Sequence, residues 1–161
     1  MKKLGIALAA FSALSLGITA CGSSSETTDT TVAAAPETAT YTVDGAWARV
    51  SPMEATMGAV YLNVASTLDD ALVGASVSTD IAAMTQVHET LMNADGTMGM
   101  QEIASVPMTA NTPLALAPGG YHVMLLDLIA PLEIGATVSV TLTFASGGTT
   151  TFDAIVSEEA P

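Results

Sequence analysis

The sequence predicts an all-β protein, a single-domain sandwich of two sheets packed face to face. From Tyr41 onward, short apolar runs rich in Val, Thr and Leu alternate with turn segments that contain Gly, Pro and Asp. Runs of this length, interrupted this often, are typical of β-sandwiches. Beyond Ala20, no window shows the sustained apolar periodicity with capping residues that predicts a helix.

The segment 1–20 is predicted to be a signal peptide and not part of the domain. Lys2 and Lys3 precede an uncharged apolar stretch at 4–20, which ends in small residues before Cys21. A basic start, an apolar middle and small residues before a cleavage point define a secretory signal. The segment before Cys21 resembles the bacterial lipoprotein processing box. That resemblance implies cleavage before Cys21 and diacylglycerol on its sulfur, rather than simple secretion or a retained membrane helix.

Residues 21–40 are predicted to be a lipidated cysteine followed by a flexible tether. Residues 22–40 contain nine Ser or Thr and no aromatic side chain. Such a segment cannot bury enough apolar surface to offset the entropy lost on ordering. We therefore place the folded domain at residues 41–158.

Eight or nine strands are predicted in the domain, separated by turns such as residues 93–96, 118–120 and 146–148. The strand at 137–144 alternates apolar residues with Thr and Ser, which indicates one buried and one exposed face. The strand at 121–128 is apolar on both faces except at His122 and Asp127. The predicted strands are 46–50, 58–66, 71–79, 83–92, 97–103, 113–117, 121–128, 137–144 and 150–157.

Charge and cysteine content exclude two classes of function. Removal of the segment 1–20 takes two of the three Lys and Arg residues and none of the 16 Asp and Glu residues, so the remainder carries a formal charge of −15. Nucleic acid is excluded as a partner because phosphate binding requires basic side chains. Cys21 is the only cysteine, so the domain has no thiol for redox chemistry. We expect no enzymatic activity either, since no nucleophile–histidine motif is present.

Both histidines of the chain lie in strands that also carry methionine or lead to it. His122 and Met124 are two positions apart, so they share one face of a strand at a Cα distance of roughly 6–7 Å. His88 lies on the strand that leads through residues 93–96 to Met98 and Met100. A hairpin at this turn would bring these side chains to neighbouring positions. The strand of His122 would then have to pack beside the hairpin.

Imidazole and thioether donors together favour Cu(I) over other metals. Thioether sulfur is a soft ligand, whereas Mg²⁺, Ca²⁺ and Mn²⁺ prefer carboxylates and carbonyls. Structural zinc sites normally use thiolates or more histidines, and a blue-copper site needs a cysteine. Methionine in an apolar strand is usually core filler, and a single histidine is usually a hydrogen-bonded structural residue. The pairing of both histidines with methionine favours the metal site.

The spacing of these residues resembles that of the periplasmic copper chaperone family PCu(A)C, whose pattern is His-x(10)-Met-x(21)-His-x-Met. Here the spacing from Met100 to His122 fits the pattern, whereas the spacing from His88 to Met100 is longer by one position. The extra residue falls in the turn at 93–96 and leaves Met98 open as an alternative to Met100. The resemblance extends over 46–66, 72–76 and 116–128. It implies a cupredoxin-like β-sandwich that binds one Cu(I) through His88, Met100, His122 and Met124.

The resemblance also implies delivery of copper outside the cytoplasm, to an acceptor such as a cytochrome c oxidase subunit or an assembly factor of its dinuclear copper centre. The protein would be lipid-anchored through Cys21 at the outer face of the membrane or in the periplasm. A copper-sequestering tolerance protein and a metal-free envelope module remain alternatives. Alternation places Glu89 and Asp127 on the faces opposite the histidines, so we expect neither to be a ligand. We expect Trp47 to be a core anchor or to dock an acceptor.

Overall fold

The structure is a computed structural model that describes residues 38–161. The predicted signal peptide, the lipidation site at Cys21 and the tether up to residue 37 lie outside the described residues. Within the described part every regular element is a strand, and no helix there could cross a membrane. The ten strands are β1 (Tyr41–Arg49), β2 (Met57–Ser66), β3 (Asp70–Val77), β4 (Ala82–Met92), β5 (Met98–Glu102), β6 (Val106–Met108), β7 (Leu114–Leu116), β8 (Tyr121–Leu128), β9 (Thr137–Phe144) and β10 (Thr149–Ser157).

The strands form one continuous hydrogen-bonded sheet in the order β5-β4-β8-β7-β2-β1-β10-β9-β3-β6, and β8 also pairs with β2. The all-β prediction is therefore confirmed. The two predicted layers are joined, because β1 pairs with β2 on one side and with β10 on the other. β1 carries a bulge between Asp44 and Trp47, with Gly45 in the left-handed region at a φ of 59°. A bulge bends its strand, which helps one sheet to pack against itself.

One core lies between the two halves of the sheet. Val87, Val123 and Leu125 contribute from β4 and β8, whereas Leu142 and Phe144 contribute from β9. These side chains alternate along their strands with residues on the outer face, as the period of two requires. The face of β4 and β8 that carries the histidines is therefore turned away from this core.

The core has a well-defined edge where β1 begins and β9 ends. The ring of Tyr41 stacks on Phe144 with ring centres 3.7 Å apart and planes 4° from parallel. The Tyr41 hydroxyl donates a hydrogen bond of 2.5 Å to Asp70 Oδ2. The Ser146 hydroxyl donates to the same oxygen at 2.8 Å. Tyr41 thus closes the core over Phe144.

The strand predictions fail in two places, both at weak sequence signals. β1 begins at Tyr41 rather than at residue 46, although Asp44 and Gly45 interrupt its apolar pattern. β6 is absent from the predicted strands, because it is only three residues long and contains Pro107. Pro107 has no backbone N–H, and it is tolerated because β6 lies at the end of the sheet order.

Candidate metal centre

The candidate site lies on the outer face of β5, β4, β8 and β2. The hairpin of β4 and β5 forms as predicted, and β8 pairs with the other edge of β4. In this register His88 is directly opposite His122 on β8 and opposite Glu102 on β5. Cross-strand partners project to the same side of a sheet, so the two histidines are neighbours. The sequence could not supply this register between β4 and β8.

The two imidazole rings are close enough to share one ion. Their centres lie 5.8 Å apart and their planes are 51° from parallel. Metal–imidazole bonds of about 2 Å place two rings that bind one ion about 5–6 Å apart. His122 is buried, with 3% of its surface exposed. The Nδ1 atom of His88 is also buried and has no hydrogen-bond partner among the described residues.

Four thioethers line a cleft of about 440 Å³ beside His122. They are contributed by Met57, Met98, Met100 and Met124. Met124 is buried, whereas Met98 and Met100 are each 59% exposed. His88 is adjacent to the cleft but does not line it. The structure thus brings Met100, Met124 and His122 to one cleft, with His88 directly beside it.

The hairpin register distinguishes Met100 from Met98. Met100 is opposite Thr90, two positions from His88, and Met98 is opposite Met92, four positions from His88. A diagonal neighbour two positions along lies within reach of a long side chain, whereas one four positions along is about 7 Å farther away. Met100 is therefore better placed than Met98 to share an ion with His88.

Trp47 and Tyr61 continue the row of rings across the sheet. The ring centre of Tyr61 lies 6.2 Å from that of His122, and the ring centre of Trp47 lies 4.8 Å from that of Tyr61. Trp47 is buried, as expected of an anchor, but it is not part of the main core cluster between the two halves of the sheet. It therefore anchors the face that carries the histidines.

Hydrogen bonds hold both imidazoles. His122 Nδ1 lies 3.1 Å from the carbonyl oxygen of Gly120, and His88 Nε2 lies 2.9 Å from Gln86 Oε1. Burial lowers the pKa of His88 below its ordinary value, and the neighbouring His122 lowers it further. The carboxylate of Glu102 opposes this by raising the pKa. On acidification, His88 therefore stays neutral down to a lower pH than an exposed histidine does. Only the neutral ring has a lone pair that can bind a metal.

Protons are expected to compete with any metal bound through His88 only at a pH below the ordinary histidine pKa of about 6.5. Protons compete with the metal for the ring nitrogen, and the lowered pKa delays that competition. The metal-free domain should also lose stability as the pH falls below about 6.5, because His88 of the unfolded chain takes up a proton first. An NMR titration of the metal-free protein measures this pKa directly. A value at or above 6.5 would contradict the prediction.

This face carries few of the donors that the common oxygen- and nitrogen-ligated metals prefer. Among residues 38–161 no cluster of three or more His, Cys, Asp or Glu side chains could hold a metal ion. Glu89 is opposite Gln101 and Tyr121, on the other face of β4 from His88. Asp127 is exposed and adopts a left-handed conformation with a φ of 52°. The site therefore offers imidazole and thioether donors.

Sequence reasoning missed Gln86, Glu102 and Tyr61 as members of this site. Gln86 lies two positions before His88, so simple alternation could have placed it on the same face. Glu102 is opposite His88 only in the register that the turn between β4 and β5 imposes. The turn at 93–96 contains one residue more than the family pattern, so the sequence alone does not give that register. Tyr61 reaches His122 through the pairing of β2 with β8, which is a long-range contact.

Fold and site together define a cupredoxin-like β domain of the PCuAC type, and three solved structures support this class. The apo PCuAC domain from PmoF1 matches with a TM-score of 0.60 and 26% identity, over 75% of this chain and 94% of that one. The copper-bound PCuAC domain from PmoF2 matches with a TM-score of 0.57 and 27% identity, over 75% of this chain and 93% of that one. The Cu(I) form of DR1885 from Deinococcus radiodurans matches with a TM-score of 0.53 and 29% identity, over 73% of this chain and 79% of that one. The predicted cupredoxin-like fold is confirmed.

The chain belongs to the LpqE-like lipoprotein family. The family profile described as "Putative lipoprotein LpqE-like" matches residues 41–156. A protein of Leifsonia xyli subsp. xyli named "Putative lipoprotein Lxx21020" is 39% identical over 94 residues. That match covers 58% of this chain and 56% of the relative, so the chain spans little more than half of the relative's length.

Proposed function

We propose that this protein is a Cu(I) carrier that binds one ion through His88, Met100, His122 and Met124. The observation that carries the proposal is the cross-strand pair of imidazoles beside a thioether-lined cleft. Two nitrogen and two sulfur donors match the preference of Cu(I) for soft and borderline ligands. Copper-bound PCuAC domains of the same fold add independent support.

The exposure of one donor favours transfer of the ion over storage. Met100 is 59% exposed at the mouth of the cleft, whereas His122 is buried. A ligand from an acceptor protein can replace an exposed thioether without unfolding the site. The acceptor that we propose is a cytochrome c oxidase subunit or an assembly factor of its dinuclear copper centre. The protein itself is not an enzyme in this proposal.

The carrier acts outside the cytoplasm, attached to the membrane by a lipid on Cys21. The description of its family as lipoproteins and the processing box before Cys21 support this location. The formal charge of −15 would repel anionic headgroups, so the lipid provides the attachment. Deletion of the gene followed by an oxidase assay under copper limitation distinguishes delivery from sequestration, since only a delivery protein is needed for oxidase activity when copper is scarce.

Met100→Leu is expected to weaken Cu(I) binding strongly, whereas Met98→Leu leaves it within about twofold of wild type. Leucine has nearly the same volume as methionine but has no sulfur donor. Both residues are equally exposed on β5, so Met98→Leu is a matched control for Met100→Leu. Anaerobic titration with a competing Cu(I) chelator gives the stoichiometry and the affinity. One Cu(I) per wild-type domain is expected, and no binding at all would overturn the proposed function.

A further inference from the structure

The hydrogen bonds of the two histidines assign a different tautomer to each ring. The carbonyl oxygen of Gly120, which lies 3.1 Å from His122 Nδ1, can only accept a hydrogen bond. His122 Nδ1 must therefore carry the proton. In the neutral ring, the lone pair of His122 is then on Nε2.

His88 has the opposite arrangement because of Gln86 and Glu102. The Gln86 side-chain nitrogen donates a 2.9 Å hydrogen bond to Glu102 Oε2, and a carboxylate can only accept. The amide oxygen of Gln86 must then face His88, where it lies 2.9 Å from Nε2. The amide oxygen accepts, so His88 Nε2 carries the proton and Nδ1 has the lone pair.

This lone pair is at the atom of His88 that has no partner. His88 Nδ1 is buried and makes no hydrogen bond among the described residues. A buried polar atom without a partner is costly, and native proteins rarely retain one without a reason. The ring of His122 lies 5.8 Å away, a separation that one shared ion would span.

We propose that Gln86 and Glu102 are positioning residues that fix the Nε2–H tautomer of His88, so that His88 binds the metal through Nδ1 and His122 binds it through Nε2. The inference rests on the proposed Cu(I) site and adds the ligand atoms and the residues that select them. The Glu102 carboxylate holds the Gln86 amide in one orientation, and the amide holds the imidazole. The ring is therefore in its metal-binding form before the ion arrives.

NMR of the metal-free protein tests the tautomers without copper. Long-range correlation of ring protons with ring nitrogens at pH 8, in protein labelled with ¹⁵N-histidine, separates protonated from bare nitrogens. We expect Nε2–H for His88 and Nδ1–H for His122, so that each ring is the internal reference for the other. An Nδ1–H form of His88 in wild-type protein would overturn the inference, even if the protein binds Cu(I).

Gln86→Leu removes the acceptor of the His88 Nε2–H bond, so the imidazole should lose its fixed orientation. Loss of a partner that orients a metal ligand typically lowers metal affinity by about 10–100-fold, and we expect a loss in that range. Gln101→Leu is the matched control: it makes the same substitution on β5 at an exposed position opposite Glu89, and it should change neither tautomer nor affinity. A Cu(I) affinity of Gln86→Leu equal to that of wild type would show that the pair does not position His88.

An exchange of the two side chains provides a rescue. Gln86→Glu alone places a second carboxylate next to that of Glu102. The two negative charges should repel each other and break the contact between residues 86 and 102. The double variant Gln86→Glu, Glu102→Gln again offers an acceptor to His88 Nε2 and a donor to residue 86, so the wild-type tautomer and most of the affinity should return. Failure of this rescue in a folded protein would contradict the positioning role. Correct tautomers without Cu(I) binding would instead overturn the proposed function and leave the tautomer assignment standing.

Discussion

Replacing both His88 and His122 with alanine is expected to reduce Cu(I) binding from one ion per domain to none in competition with a chelator. The variant loses both nitrogen donors, and the neutral thioethers that remain in the cleft are weaker ligands than the mixed set of imidazole and thioether. The variant should still fold, because the site lies on the face of β4 and β8 opposite the main core. The fluorescence of Trp47, which packs on Tyr61 beside His122, reports on the integrity of that face.

Glu89→Gln and Asp127→Asn are the controls for this loss. Each removes a charge close in sequence to a histidine. Glu89 lies on the other face of β4, and Asp127 is exposed in a left-handed conformation. Both variants should bind Cu(I) with wild-type stoichiometry. Normal binding by the double histidine variant would show that the imidazoles are structural and that the copper proposal is wrong.

Phe144→Ala is expected to lower the free energy of unfolding by about 3–5 kcal/mol. Phe144 is the largest of the fully buried side chains and is 1% exposed. Loss of the phenyl ring leaves a cavity under the ring of Tyr41. The hydrogen bond from Tyr41 to Asp70 holds the tyrosine ring in place, so it does not fill the cavity. Chemical denaturation measures the change, and copper affinity at temperatures where the domain is folded should not change.

Ile155→Ala on the adjacent strand β10 is the control for Phe144→Ala. Ile155 is 58% exposed, so its truncation should change the free energy of unfolding by no more than about 0.5 kcal/mol. A loss of less than about 1 kcal/mol in Phe144→Ala, well under the usual cost of such a cavity, would mean that Tyr41 moves into the space and that its hydrogen bond to Asp70 is weak.

Local patterns are sufficient to predict most of the strands. The alternation of apolar and polar residues at 137–144 predicts β9 with its correct bounds, and the turn at 93–96 predicts the hairpin of β4 and β5. These signals depend on the strand period and on turn residues, both of which are local. β6 has too few residues to show the strand period. In β1 the bulge at Asp44 and Gly45 interrupts the alternation of apolar and polar residues.

The site is predictable in its residue types but not in its register. The sequence indicates that His122 and Met124 share a face, because that depends on one strand alone. The direct pairing of His88 with His122 depends on how β4 aligns with β8, two strands far apart in the chain whose alignment no local pattern encodes. For the same reason the sequence does not reveal that Glu102 orients Gln86 beside His88.

The direction of β1 determines where a tag can be attached to the domain without lying next to the cleft. β1 starts at Tyr41 and reaches the cleft at Arg49, roughly 25 Å away for an extended strand. Ser157, the last residue of β10, pairs with Arg49 at the rim of the cleft. An affinity tag attached before Tyr41 would therefore start at the far end of β1 from the cleft, whereas one attached directly after Ser157 would start beside it.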